Sequence, residues 1–287
     1  IYKLKIKKFQ NYGRHLVDYE DIKSVLRVLK GDLLTQGPFV KKFENKIAQL
    51  CNARYAVAVS SCTAGLHLAC LAAGLGKGDT AITQGISFVA SANAILYSGA
   101  KLDLVDINPD TLNMNVEDLR KKIKQNKKIK AIIPVHFSGL ASHSKKIKEL
   151  CKNKIIIEDA AHSLGAKYEC GKPVGCGAYS DMTVFSFHPI KVITSGEGGI
   201  IVTNNKLFSE RLKRLRTHGI ERMKSNFVNN KLAYNKGRLN SWYYEQHELG
   251  FNYRLSDIHA SLGFSQTKKL KKYINIRKKI ALMSDKG

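Results

Sequence analysis

Short apolar runs alternate with longer amphipathic runs along nearly the whole chain, with polar or glycine-containing turns between them. That alternation is the strongest constraint on the fold. A strand followed by a helix, repeated, returns each new strand in the same direction. The result is an α/β domain with a mostly parallel sheet flanked by helices. Strands are expected at residues 55–59, 80–83, 101–105, 131–135, 155–157, 182–185 and 199–203. Helices are expected at 19–29, 39–51, 63–75, 88–97, 116–125, 142–151, 207–217 and 255–272. Residues 223–242 are polar with little periodicity and read as a mobile loop.

In such sheets ligands collect beyond the carboxyl ends of the strands. Asp159 stands at the end of the run Ile155-Ile156-Ile157. Lys191 follows Phe185-Ser186-Phe187-His188-Pro189-Ile190 and precedes the turn Gly196-Glu197-Gly198-Gly199. Alone, each has a plain structural explanation: Lys191 as a surface lysine, Asp159 as a cap for the following turn. Together they suit pyridoxal phosphate (PLP), whose aldehyde bonds a lysine amine and whose ring nitrogen pairs with an acid. The amine must be neutral to attack, so a partly desolvated pocket is expected around Lys191.

Other positions fit the same cofactor. The segment Ser60-Ser61-Cys62-Thr63-Ala64-Gly65 joins a strand to a helix. Free amides in that first helical turn can hold a phosphate, although an ordinary Ser/Thr cap looks the same in sequence. Ser186 can add a hydroxyl from its own strand end. Phe88 is either a core aromatic or a stacking surface for a flat ring. His162 and His188 are as readily structural as they are cofactor or substrate contacts. Asn252 and Arg254 lie in the loop before the last helix and can donate to an anion.

The charge points elsewhere at first. With 48 Lys+Arg against 23 Asp+Glu, the chain carries +25, a balance that raises nucleic-acid or membrane-surface binding. The lysines are spread along helix faces, such as Lys145-Lys146 and Lys271-Lys272. They read as solvated faces with a lean towards anionic substrates, without a nucleic-acid or membrane partner. Six cysteines show no CxxC pair; no metal site is expected, and the usage fits a cytoplasmic location. No signal peptide or membrane span is legible. The opening Ile1 and an end directly after a helical pattern are expected of a piece of something longer.

Six blocks, in order, resemble the DegT/DnrJ-type sugar aminotransferases. They are LTQGP (34–38), SSCTAGLHLA (60–69), SFVASANAILYSGA (87–100), EDAAHSLGA (158–166), SDMTVFSFHPIKVITSGEGG (180–199) and ELGFNYRLSD (248–257). FHPIK…GEGG followed by YYEQHELGFNYR looks most like the branch serving pseudaminic-acid biosynthesis. The resemblance implies an aspartate aminotransferase-like PLP fold type I large domain over 1–254. Residues 255–287 would begin a small C-terminal domain that is otherwise largely absent. It implies Lys191 as the Schiff-base lysine and Asp159 as the ring-nitrogen partner. It further implies Phe88 as the stacking residue and Cys62, Thr63 and Ser186 as the phosphate cradle. Asn252 would reach the phosphate of a neighbouring subunit in a homodimer with shared active sites. Cys62 departs from the usual glycine or alanine. Transamination from L-glutamate to a UDP-linked 4-keto-6-deoxy sugar is the activity implied. A dTDP- or GDP-linked sugar, amination at C3 or C4, and a non-catalytic basic binding protein on the same scaffold stay open.

Overall fold

The computed structural model describes residues 13–284; the outermost positions of the expected domain limits lie outside them. Helices α1 (Tyr19–Leu29) and α2 (Pro38–Cys51) precede β1 (Tyr55–Val59), α3 (Cys62–Ala72), β2 (Thr80–Gln84), α4 (Ala90–Tyr97) and β3 (Lys101–Val105). Next come α5 (Val116–Gln125), β4 (Ile129–Ile133), α6 (Ser144–Leu150), β5 (Ile155–Asp159), β6 (Met182–Ser186), β7 (Gly199–Thr203) and α7 (Lys206–Leu215). Short elements follow: β8 (Ile220–Glu221), α8 (Asn230–Ala233), β9 (Tyr234–Asn235), β10 (Arg238–Leu239) and β11 (Glu245–Gln246). Helices α9 (Asp257–Thr267) and α10 (Leu270–Ser284) complete the described residues.

Seven strands form one sheet in the order β1-β7-β6-β5-β4-β2-β3. All run the same way except β7, which is antiparallel to both β1 and β6. Both faces are covered except at the edge strand β3, which is why the inner strands read as continuous apolar runs. The period of two is visible in β1. Val57 and Val59 pack with α3, α4 and α7, while Ala56 and Ala58 pack with Phe43 and Ile47 of α2. Gly65 brings α3 close to the sheet, since a Cβ there would lie 2.8 Å from a Val184 methyl.

Polar ties lock the layers. Gly37, the N-cap of α2, has no side chain, and Asp257 substitutes from α9. Its carboxylate accepts the Gly37 amide at 2.6 Å and the Phe39 amide at 2.7 Å. Glu158 is fully buried on β5 and accepts from Ser144, Tyr168, Ser180 and Thr183. Burial alone would raise its carboxyl, but His136 and these donors outweigh burial and hold it well below the usual carboxylate range.

Three expectations need correction. The helix expected at 255–272 is two helices: Lys268 and Lys269 bond back only three residues, to Ser265 and Gln266. Lys269 turns inward there to pair with Asp18 and Asp21. The strand expected at 131–135 lies two residues earlier, because Pro134 has no amide to extend the ladder and the Lys130 amine is tied to Asp79 at 3.0 Å. Residues 223–242 carry α8 and the β9–β10 hairpin instead of a plain loop.

Candidate active site

Five strand-end segments meet around one cavity of about 550 Å³. Ser61, Cys62 and Thr63 follow β1, Ser87 and Phe88 follow β2, and Val135 to Ser138 follow β4. Asp159 and His162 come from the end of β5, and Ser186, His188 and Lys191 from the end of β6. The reversed β7 contributes through its start, placing Glu197 at the same edge. This is the carboxyl edge of a parallel sheet, where backbone groups and side chains converge without needing a buried loop.

Of the residues expected from sequence, Cys62, Thr63, Phe88, Asp159, His162, Ser186 and Lys191 line this cavity, whereas Arg254, bridged to Val59, does not. Nor does Asn252. It is exposed, and its backbone bridges Thr217. His188 also lines the cavity, 4.0 Å from the Glu197 carboxylate.

Lys191 lies in the irregular turn after β6, its amide donating to the His188 carbonyl at 2.9 Å. Its Nζ meets His162 Nε2 at 2.5 Å. Burial pushes the amine below the ordinary lysine value of 10.5, against the upward pull of the Asp159 carboxylate. Partial burial, then the Lys191 charge, pushes the His162 ring down too. A neutral imidazole therefore faces the amine.

Asp159 is buried. Its Oδ2 accepts the Ser91 hydroxyl at 2.6 Å, and its Oδ1 accepts the Ala161 amide at 3.1 Å. Ser61 caps α3, accepting the Ala64 amide at 3.1 Å. The Cys62 and Thr63 amides belong to the same first turn, where a helix provides no internal acceptor, and they face the cavity with the positive end of the dipole. Burial, then the nearby Asp159 charge, raises the Cys62 thiol well above its ordinary value, so it is a neutral SH. Phe88 is 75% exposed at the cavity wall, which removes the core-aromatic alternative and leaves a ring face free to stack.

Sequence reasoning missed Ser91, Ser87 and His136. Ser91 sits inside a block of small residues and gives no local sign of its distant carboxylate partner. His136 is recognisable only from its buried approach to Glu158.

The model of the DegT/DnrJ/EryC1/StrS aminotransferase family matches residues 16–286. The chain is 37% identical over 278 residues to the UDP-4-amino-4,6-dideoxy-N-acetyl-β-L-altrosamine transaminase of Campylobacter jejuni, covering 96% of this chain and 68% of that one. Among solved structures it is similar to Helicobacter pylori PseC, an aminotransferase of pseudaminic-acid biosynthesis. There the TM-score is 0.86 and the identity 32%, with 97% of this chain and 70% of that chain covered. It is also similar to the PLP-form of Streptococcus pneumoniae Spr1654, with TM-score 0.86, 25% identity, and 97% of this chain and 71% of that chain covered. The sheet and its helices are those of PLP fold type I.

Proposed function

The chain belongs to the DegT/DnrJ/EryC1/StrS aminotransferase family, a PLP-dependent sugar aminotransferase group, and on that premise we propose its substrates and the roles of its residues. The amino donor is L-glutamate, and the acceptor is a UDP-linked 4-keto-6-deoxy sugar on the route to pseudaminic acid. The named Campylobacter and Helicobacter relatives support this choice of acceptor.

One observation carries the proposal: a single cavity collects a lysine amine, a buried carboxylate, a helix N-terminus with two hydroxyls, and an exposed aromatic face. That donor set matches PLP group by group, and the cavity fits it. Bound there, PLP supplies an aldehyde for a lysine amine and a protonated ring that draws electrons from an amino acid's α-carbon. Lys191 is the residue to which the aldehyde attaches. When free, its amine would be placed to move a proton from or to the amino acid's α-carbon. His162 holds the free amine in place through the Nζ–Nε2 contact. Asp159 retains the proton on the ring nitrogen by accepting it in a charge-assisted hydrogen bond. The Cys62 and Thr63 amides, the Thr63 hydroxyl and Ser186 hold the phosphate. Phe88 covers one face of the ring. Asn252 completes the phosphate site of a second copy, which agrees with its absence from the lining of its own cavity.

The non-catalytic alternative is disfavoured by the complete lysine–acid pair. The identity of the acceptor is tested by incubating the purified protein with PLP, L-glutamate and a panel of UDP-, dTDP- and GDP-linked 4-keto and 3-keto sugars. Mass spectrometry should show an amino sugar from the UDP-linked 4-keto substrate first. Faster amination of a dTDP- or GDP-linked sugar would reassign the substrate and leave the chemistry intact.

A further inference from the structure

Ser91 is the second residue of α4 and is completely buried. Its neighbours on that helix include Ala90, Ala92 and Ala94. A buried hydroxyl is unfavourable unless it is hydrogen-bonded, and this one has a demanding partner. It donates to Asp159 Oδ2 at 2.6 Å. A carboxylate only accepts, so the direction of the bond is fixed. Ser91 Oγ is in turn 3.1 Å from Ser87 Oγ, and Ser87 lines the cavity directly before Phe88.

We propose that Ser91 is a positioning residue for the cofactor, holding the Asp159 carboxylate in the one rotamer that presents an acceptor to the ring nitrogen. Asp159 is held at both oxygens, by Ser91 on one and the Ala161 amide on the other. Each oxygen keeps further acceptor capacity, and the side chain borders the cavity. The Ser91–Ser87 pair adds a second effect. It ties the loop bearing Phe88 to the end of β5, so the group facing the ring's flat side is registered against the group facing its edge. The inference rests on the reading of Asp159 as ring-nitrogen partner.

The test uses the PLP-loaded protein and four variants: Ser91→Ala, Ser91→Thr, Asp159→Ala and the Ser91→Ala/Asp159→Ala double. The readouts are the PLP dissociation constant by equilibrium dialysis and the pH dependence of the visible absorption band, which titrates with the imine nitrogen and is shifted by the ring's protonation. Ser91→Ala should weaken PLP binding on the order of tenfold, the expected size for one hydrogen bond to a charged group, and shift the pH dependence of the band. Ser91→Thr, which keeps the hydroxyl, should restore both. In the Asp159→Ala background, Ser91→Ala should change nothing further. Should Ser91→Ala not fold, Ser91→Cys, near in size but a weak donor, reads the same loss. Wild-type binding and spectrum in Ser91→Ala, or losses that simply add in the double variant, would overturn the inference while leaving Asp159's role standing. Unchanged binding and spectrum in Asp159→Ala itself would remove that role, and the inference with it.

Discussion

A lysine bonds a carbonyl carbon only through its neutral amine, and the setting of Lys191 favours that state. Burial lowers its pKa below 10.5, and the His162 ring beside it is also shifted towards neutrality. The sign follows directly. Above the lowered value Lys191 is free amine, and below it the amine is protonated and inert. The rate of PLP attachment, followed by stopped-flow absorbance, should rise with pH and level off below 10.5. Levelling only near 10.5 would show a solvated lysine. Much of this residue chemistry was legible in sequence, because Lys191 and Asp159 each follow an apolar run and stand out against it. Ser91 and Glu158 were not, since their meaning lies in partners 68 and 22 residues away.

Helix α3 and strand β7 show how elements shape the cradle. Gly199 opens β7 directly beneath the start of α3, where an added Cβ would lie 2.5 Å from the Ser61 carbonyl oxygen and 2.7 Å from the Cys62 nitrogen. Only a glycine lets the strand pass that close. Gly199→Ala should therefore shift the first turn of α3 and cost about 1–3 kcal/mol of stability, typical of overpacking. PLP affinity should fall more than general destabilisation explains. Urea unfolding and PLP titration measure the two effects separately; unchanged affinity would detach the phosphate from this helix end. The glycine was visible in sequence as part of a glycine-rich turn, but its steric role needed the antiparallel pairing of β7. Helix bounds were legible where a cap or proline marked them. The α9–α10 break was not, because Lys269 is drawn inward by Asp18 and Asp21, far away in the chain.

At the scale of the whole molecule, strand–helix alternation predicted the parallel sheet, and the structure has it. The reversal of β7 left no mark on the apolar pattern, since a strand buried on both faces reads the same in either direction. Large apolar side chains remain on the surface near functional segments: Phe88 at 75% exposure, Trp242 at 70% and Leu249 at 80%. Leu249 shares its loop with Asn252. We propose that this loop docks on a second copy. No helix among the described residues is long and apolar enough to cross a membrane. If sites are shared, Lys191→Ala and Asn252→Ala are each defective, yet mixing them after mild unfolding creates hybrid dimers with one intact site. Activity should recover to roughly a quarter of wild type, the statistical yield for a two-fold dimer. No recovery would place Asn252 outside the partner's site.

The central claim is that one lysine, chosen by its place at the end of β6, carries the cofactor. The chain has 48 lysines and arginines, so selectivity is a stringent criterion. Borohydride reduction of the PLP-loaded protein, followed by peptide mass spectrometry, should find the phosphopyridoxyl group on Lys191 and none on the Lys191→Ala variant. A label on a different lysine of the wild-type protein, or one that survives Lys191→Ala, would contradict the account.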